Sequence, residues 1–173
     1  MIITNDEKAL RVSCQNTELE EVGTLISTLE NELSAANRLG AKGVGLAAIQ
    51  IAIPQKIAII RLDNIKLDLV NCEISQSYDK IEFKDEGCLS FPTNNIDTYR
   101  YQEVYVINNL VEPHSFIATG FLAIAIQHEI DHYNSVLYMD HQVPKLNQVT
   151  KKAKPNDKCP CGSNLKYKRC CGK

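Results

Sequence analysis

His128 and His132 stand four residues apart, with Glu129 beside the first, in the run His128-Glu129-Ile130-Asp131-His132. On an α-helix that spacing turns the chain by about 400°, so the two rings fall within roughly 40° of each other on one face. Two imidazoles so placed can grip one metal ion, with the glutamate beside it as a proton carrier. The chemistry is a metal activating water against a carbonyl. The competing reading is a chance pattern, two histidines and an acid held as satisfied polar groups in a buried helix.

A catalytic site of this kind needs a third protein ligand and one coordination position left for water. Zinc peptidases with this helix take that ligand from downstream. Here no glutamate follows Glu129, and the position six residues past His132 is Tyr138. On a continuing helix Asp140 would lie about 12 Å further along the axis, and His141 further still. Among upstream candidates Cys88 stands out, in Glu86-Gly87-Cys88-Leu89-Ser90. A glycine there lets the backbone approach another element closely, and a thiolate is a strong ligand for zinc or ferrous iron.

The elements that must carry these residues follow from periodicity. Leu19, Val22, Leu25, Ile26, Leu29 and Leu33 recur at helical spacing and predict an amphipathic helix over 17–39. Thr17 and Glu20 are its expected capping box, and Gly40 its stop. Runs 56–62, 66–71, 74–83 and 103–108 are rich in β-formers and predict strands. A second helix is expected from about Thr119 through His132. Its stretch 121–126 is apolar on all sides, which predicts burial at the centre of the domain. The expected fold class is therefore α+β, antiparallel strands packed around a central buried metal-binding helix, with a small C-terminal zinc knuckle.

With 173 residues the chain has room for one catalytic domain and a small appendage, and 44% apolar residues suffice for an ordinary core. A net charge of -2 argues neither for nor against nucleic acid. The longest apolar run, 121–126, is far short of a membrane span, and the first residues lack signal-peptide character. The expected location is cytoplasmic, where thiols stay reduced, so the seven cysteines read first as ligands, nucleophiles or core residues.

Three separated blocks, GVGLAAIQ at 43–50, EGCLS at 86–90 and HEIDH at 128–132, resemble in sequence, order and interval the signature of the peptide deformylases. The resemblance covers roughly residues 5 to 145. It implies a hydrolase that removes the formyl group from the N-terminal formylmethionine of nascent polypeptides. It implies metal ligands Cys88, His128 and His132, and ferrous iron as the metal, with zinc, nickel or cobalt also accepted. Glu129 then takes a proton from the metal-bound water and delivers it to the leaving amine. The Gln50 amide and the Leu89 backbone N–H match the donors that stabilise the oxyanion. Gly43, Val44, Gly45, Glu86, Ile124 and Ala125 match substrate-binding positions, although as turn glycines and plain core residues several would look the same. Arg100 falls where the family commonly has an arginine; an ion pair with Asp131 is one expectation and an exposed charge the other. Three departures stand out: Asp97 where many members carry a substrate-contacting arginine, Ser135 for a frequent glycine, and no long C-terminal helix of the kind that docks on the ribosome.

The tail changes character instead. Residues 150–173 carry eight Lys or Arg and one acid, Asp157. Cys159, Cys161, Cys170 and Cys171 follow a C-x-C-x8-C-C spacing that suits one tetrahedral zinc, and a piece this small would draw its folding energy from the metal. Disulfides or a redox pair are the alternatives. The segment 156–173 resembles the SEC-C motif. The expected organisation is a catalytic domain over 1–147, a basic linker over 148–156 and a zinc motif over 157–173. Lys158, Lys166, Lys168, Arg169, Lys173 and Tyr167 make the tail a candidate anchor for the ribosome or ribosomal RNA, against the reading of a solvated charge run. The rival functions are a zinc endopeptidase, disfavoured by the missing downstream ligand, and a non-catalytic ribosome-binding module, disfavoured by the full set of catalytic residue types.

Overall fold

Ile57, Ala58, Ile59 and Ile60 are apolar in unbroken sequence because the strand they form is covered on both faces. Ala58 and Ile60 join a core with the central helix, and Ile57 and Ile59 join a second core beneath the amphipathic helix. The period of two in side-chain direction sends alternate residues to opposite faces.

The computed structural model describes residues 1–108, 110–144, 154–159 and 165–172. The chain divides into two units, Met1–Val143 and Pro144–Lys173. In the first unit the strands are β1 (Gly45–Ala47), β2 (Ile57–Leu62), β3 (Ile65–Val70), β4 (Glu73–Cys88), β5 (Phe91–Ile107) and β6 (Ser115–Thr119). The helices are α1 (Glu7–Leu10), α2 (Leu19–Arg38) and α3 (Gly120–Tyr133). Two antiparallel sheets, ordered β1-β2-β3 and β4-β5-β6, give the α+β architecture expected from the sequence.

Helix α3 holds the sheets together. Its Ala123, Ala125, Ile126, Ile130 and Tyr133 share one core with Ala47, Ala58, Ile60, Leu67 and Leu69 of the first sheet and Val104, Val106 and Ala118 of the second. Burying a large aliphatic side chain stabilises a fold by about 1.5–3 kcal/mol, so this shared core fixes the helix firmly. Burial is not complete: Phe121 is 46% exposed and sets its ring against Phe83, with centroids 6.2 Å apart. The first turn of α3 lies at the rim of a cleft, not in the centre.

Other departures from the sequence reading have local causes. Helix α2 starts two residues later than expected, and its cap is Glu18, whose N–H donates to Glu21 Oε2 at 3.4 Å. Thr17 is held outside the helix because its N–H and C=O both bond the Asn71 side chain, at 2.8 and 3.0 Å. Gly40 takes φ +96°, the left-handed stop that the sequence predicts. Strands β1 and β6 are absent from the sequence reading, being short, and β1 is buried throughout, without alternation. The expected strands 74–83 and 103–108 are parts of one long hairpin, β4–β5, broken by register shifts near Ile74, Phe83 and Glu86. Its polar stretch through Thr93, Asn94 and Asn95 is exposed on a two-stranded ribbon, so hydrophobic alternation is missing there.

In the second unit Lys158 pairs with Lys166 in an antiparallel bridge, and the Cys159 N–H donates to the Leu165 carbonyl at 2.7 Å. A 3-10 turn over Tyr167–Arg169 follows. The ring of Tyr167 packs so closely on Gly172 that a Cβ there would meet it at 2.8 Å.

Candidate active site

The hairpin tip brings the metal-ligand candidates to α3. Cys88 ends β4 and pairs with Phe91, leaving Leu89 and Ser90 as a two-residue turn. Glu86 and Cys88 are two apart on the strand, so both side chains leave the same face and are buried against α3. His128 and His132 come from successive turns of α3, with ring centroids 4.9 Å apart. The Cys88 sulfur and one ligand nitrogen from each histidine lie within 4.8 Å of one another. His132 Nε2 is 3.4 Å from Cys88 Sγ.

This donor set fits a metal ion on its own geometry. His128 Nδ1 contacts Glu86 Oε1 at 2.6 Å, which leaves Nε2 as the ring atom for a ligand bond. Burial drives His132 to titrate well below an ordinary histidine, and neighbouring His128 adds to this, so the ring is neutral as a ligand must be. Burial pulls His128 down too, but the Cys88 sulfur and Glu86 carboxylate outweigh it and favour positive charge at this point. Asp140 and His141 do not join the cluster. Asp140 pairs with Arg11 at 2.7 Å and accepts the Leu137 N–H, and His141 faces Asp131 at 3.0 Å.

Behind His128 runs a buried charge network. Glu86 accepts from Arg100 at 2.6 and 2.8 Å and also from the Thr98 hydroxyl. Arg100, only 2% exposed, donates onward to Asp131 at 2.5 Å. The expected Arg100–Asp131 pair is present, and the exposed-charge alternative is not. Burial raises the Glu86 carboxyl, yet hydrogen bonds from His128 and Arg100 overcome it and hold the group far below the usual range. The Glu86 carboxylate is thus engaged with Thr98, Arg100 and His128, while the residue still borders the cleft. Thr98 and Arg100, two apart on β5, were legible as one strand face once β5 was known.

The cleft in front of the cluster measures about 820 Å³. Gly43, Val44, Gly45, Gln50, Cys88, Leu89, His128 and Glu129, from the three separate sequence blocks, all border it, as do Ile124 and Ala125 one turn before His128. Glu129 is buried, its Oε2 has no hydrogen-bond partner among the described residues, and burial raises its carboxyl to about 7. Gly45 makes room for it: a Cβ there would lie 2.8 Å from Glu129 Cδ and nearer still to Oε1. Gln50 Oε1 accepts the Ala47 N–H at 2.9 Å, which turns Nε2 toward Cys88 Sγ at 3.5 Å and Ser90 Oγ at 3.1 Å. The sequence reading did not single out Ser90 or Thr98, although Ser90 lies within the EGCLS block.

In the tail unit Cys159, Cys170 and Cys171 have their sulfurs within 4.8 Å of one another, a cluster that could hold zinc. Cys161 lies outside the described residues, as does Lys173.

The family model described as polypeptide deformylase matches residues 1–149. The chain belongs to the peptide deformylase family. Its enzyme class is that of a metal-dependent hydrolase removing the formyl group from N-terminal formylmethionine. The SEC-C motif matches residues 156–173. Peptide deformylase 2 of Vibrio cholerae is 36% identical over 157 residues, covering 87% of this chain and 90% of that protein. The peptide deformylase of Heliobacterium modesticaldum is 37% identical over 136 residues, covering 78% and 84%. Among solved structures, the Synechococcus elongatus peptide deformylase in complex with actinonin superposes with TM-score 0.74 at 30% identity, covering 84% of this chain and 80% of that one. The Legionella pneumophila enzyme gives 0.72 at 32%, covering 83% and 86%. No helix among the described residues is long and apolar enough to cross a membrane.

Proposed function

We propose that deformylation proceeds with Cys88, His128 and His132 holding the metal, Glu129 moving the proton, and Gln50 and Leu89 receiving the developing negative charge. The observation that carries this reading is a sulfur and two imidazole nitrogens within 4.8 Å, beside a buried carboxylate oxygen with no other partner among the described residues. A divalent metal held by Cys88, His128 and His132 would supply Lewis-acid polarisation of the formyl carbonyl and a lowered pKa for water. Glu129 accepts a proton from the attacking water and gives it to the amine nitrogen as the C–N bond breaks, so that formate and a free amino terminus leave. A carboxyl raised by burial to about 7 suits both halves of that task. The Gln50 Nε2–H and Leu89 N–H donate to the oxygen that gains charge, and the methionine side chain packs on Val44, Ile124 and Ala125. Gly43 and Gly45 leave room for the substrate backbone, and Glu86 acts here through His128, not on substrate. Ferrous iron is our first assignment for the metal, with zinc, nickel and cobalt as the alternatives that this donor set accommodates. Our reading has the enzyme working in the cytoplasm on formyl-Met chains as they emerge.

Formate release from a formyl-Met peptide, set beside cleavage of an internal amide, tests the reading. Glu129→Gln should lose at least about 10²-fold in kcat while keeping its metal. Internal cleavage without formate release would point to an endopeptidase.

A second reading concerns the tail. Lys158, Lys166, Lys168 and Arg169 are exposed around the cysteine cluster. Zinc held by Cys159, Cys161, Cys170 and Cys171 would make this a rigid basic knob that contacts ribosomal RNA phosphates. Tyr167 is half-buried against Gly172. Truncation after Lys154 should abolish co-sedimentation with ribosomes at moderate salt; retention would refute the anchor.

A further inference from the structure

Gln50 and Leu89 sit on two short turns, a 3-10 turn over Ala48–Ile51 and the Leu89–Ser90 hairpin tip. A third piece of chain joins them. The Ile3 N–H donates to the Gln50 carbonyl at 2.7 Å, and the Asn5 N–H donates to the Ser90 carbonyl at 2.9 Å. The Gln50 Nε2–Ser90 Oγ bond at 3.1 Å closes the ring. Thr4, between these bonds, and Ile2, just before them, border the cleft, while Ile3 packs against the cluster of Cys88, Phe91, Leu137 and Tyr138. The segment is anchored beyond Asn5. Asp6 caps α1 through the Ala9 N–H at 3.1 Å, Leu10 is fully buried in that same cluster, and Arg11 grips Asp140 at 2.7 and 2.9 Å.

We infer that Ile2–Asn5 is a positioning strap: the Ile3 and Asn5 N–H groups hold the two turns in the one arrangement that aims the Gln50 amide and the Leu89 N–H at a common point. The inference rests on the reading of those two groups as oxyanion donors. Such donors work by being fixed before charge develops, and a misplacement of about 1 Å can cost on the order of 10²-fold. A four-residue turn and a two-residue tip have few internal bonds to hold that spacing. The strap supplies one main-chain bond to each, from a segment pinned by a buried leucine and a bidentate arginine. Ile3 and Asn5 touch no reacting atom and act through Gln50 and Ser90.

The test removes a single donor. An amide-to-ester replacement at the Ile2–Ile3 bond, made by semisynthesis, deletes the Ile3 N–H and leaves every side chain in place; Ile3→Pro is the recombinant counterpart. In both, kcat for formate release should fall about tenfold with KM changed by less than about threefold. Metal content and the visible spectrum of the cobalt-loaded protein should match wild type, because Cys88, His128 and His132 are untouched. Ile3→Ala, which keeps the N–H and loses packing, should melt earlier yet hold kcat within about threefold. An ester protein with wild-type kcat overturns the inference, and so does an altered cobalt spectrum, which would place the effect at the metal. Gln50→Glu separates the two layers of argument. If it leaves kcat unchanged, the donor reading fails and the strap falls with it. If it lowers kcat while the ester does not, only the strap fails.

Discussion

Replacing Gly45 by alanine tests how closely Glu129 is held. Gly45 has no left-handed φ, so the alanine backbone is unstrained and the effect lies in the added methyl. That Cβ would lie 2.8 Å from Glu129 Cδ and 3.0 Å from Cγ, with Oε1 nearer than either. Ordinary contact starts at about 3.4 Å, so Cδ must retreat by at least about 0.6 Å and the oxygen by about 1 Å. The carboxylate can give way by rotating, which spares folding. What it loses is aim, and about 1 Å of misplacement costs on the order of 10²-fold, near 2.7 kcal/mol of barrier. The expected outcome is kcat reduced about 10²-fold, full metal occupancy and a melting temperature within a few degrees of wild type. Gly43→Ala is the matched control. Its Cβ meets Leu89 Cδ1 at 2.5 Å, the free end of a flexible side chain away from the proton carrier, so kcat should fall by well under tenfold, and the substrate room that the methyl takes up should appear as a raised KM. Formate release, metal analysis and thermal melting on both variants decide the matter. A Gly45→Ala enzyme with metal bound and kcat within about threefold of wild type would refute the argument.

Other expectations follow from the network, the cysteines and one strained residue. Glu86→Gln should weaken metal binding about 10–100-fold by loosening the His128 ring, and should cost about 3–5 kcal/mol in denaturant melts by leaving Arg100 half-paired. The Glu86 carboxyl is depressed in the folded state. Its stabilisation is therefore complete above the unfolded value near 4.3 and is lost as pH falls through the folded one, so Glu86→Gln should flatten the acid limb of stability against pH. Two metals per chain are expected in the intact protein and one in Cys88→Ala, as read by mass spectrometry; two in the variant would remove Cys88 from the ligand set. Ser135 sits at φ +63°, and Ser135→Gly should raise stability by about 0.5–1 kcal/mol in chemical melts, net of an exposed hydroxyl bond to the Val12 carbonyl.

Much of this molecule is written locally. Helical spacing from Leu19 to Leu33 foretells α2, and the glycine after it takes the left-handed turn its position demands. His128 and His132 face one way because residues four apart on a helix share a face. The three blocks name the residues that line the cleft, and the crowded cysteines mark the tail as a separate unit. Boundaries were less legible: Thr17 looked like a cap, but a distant Asn71 holds its backbone outside the helix.

Tertiary structure alone decided the rest. Arg100 read equally well as a surface charge until the β4–β5 register set it on the inner face beside Glu86 and Thr98. That Gly45 exists to clear Glu129 depends on β1 crossing α3, about eighty residues away in sequence. The ties from Ile3 and Asn5 to Gln50 and Ser90 are made by main-chain groups, which every non-proline residue possesses, so no choice of side chain announces them. Residue type and spacing specify which chemistry is available. The folded path of the backbone specifies how rigidly those groups are held, because contacts between distant, chemically anonymous peptide groups leave no trace in the order of side chains.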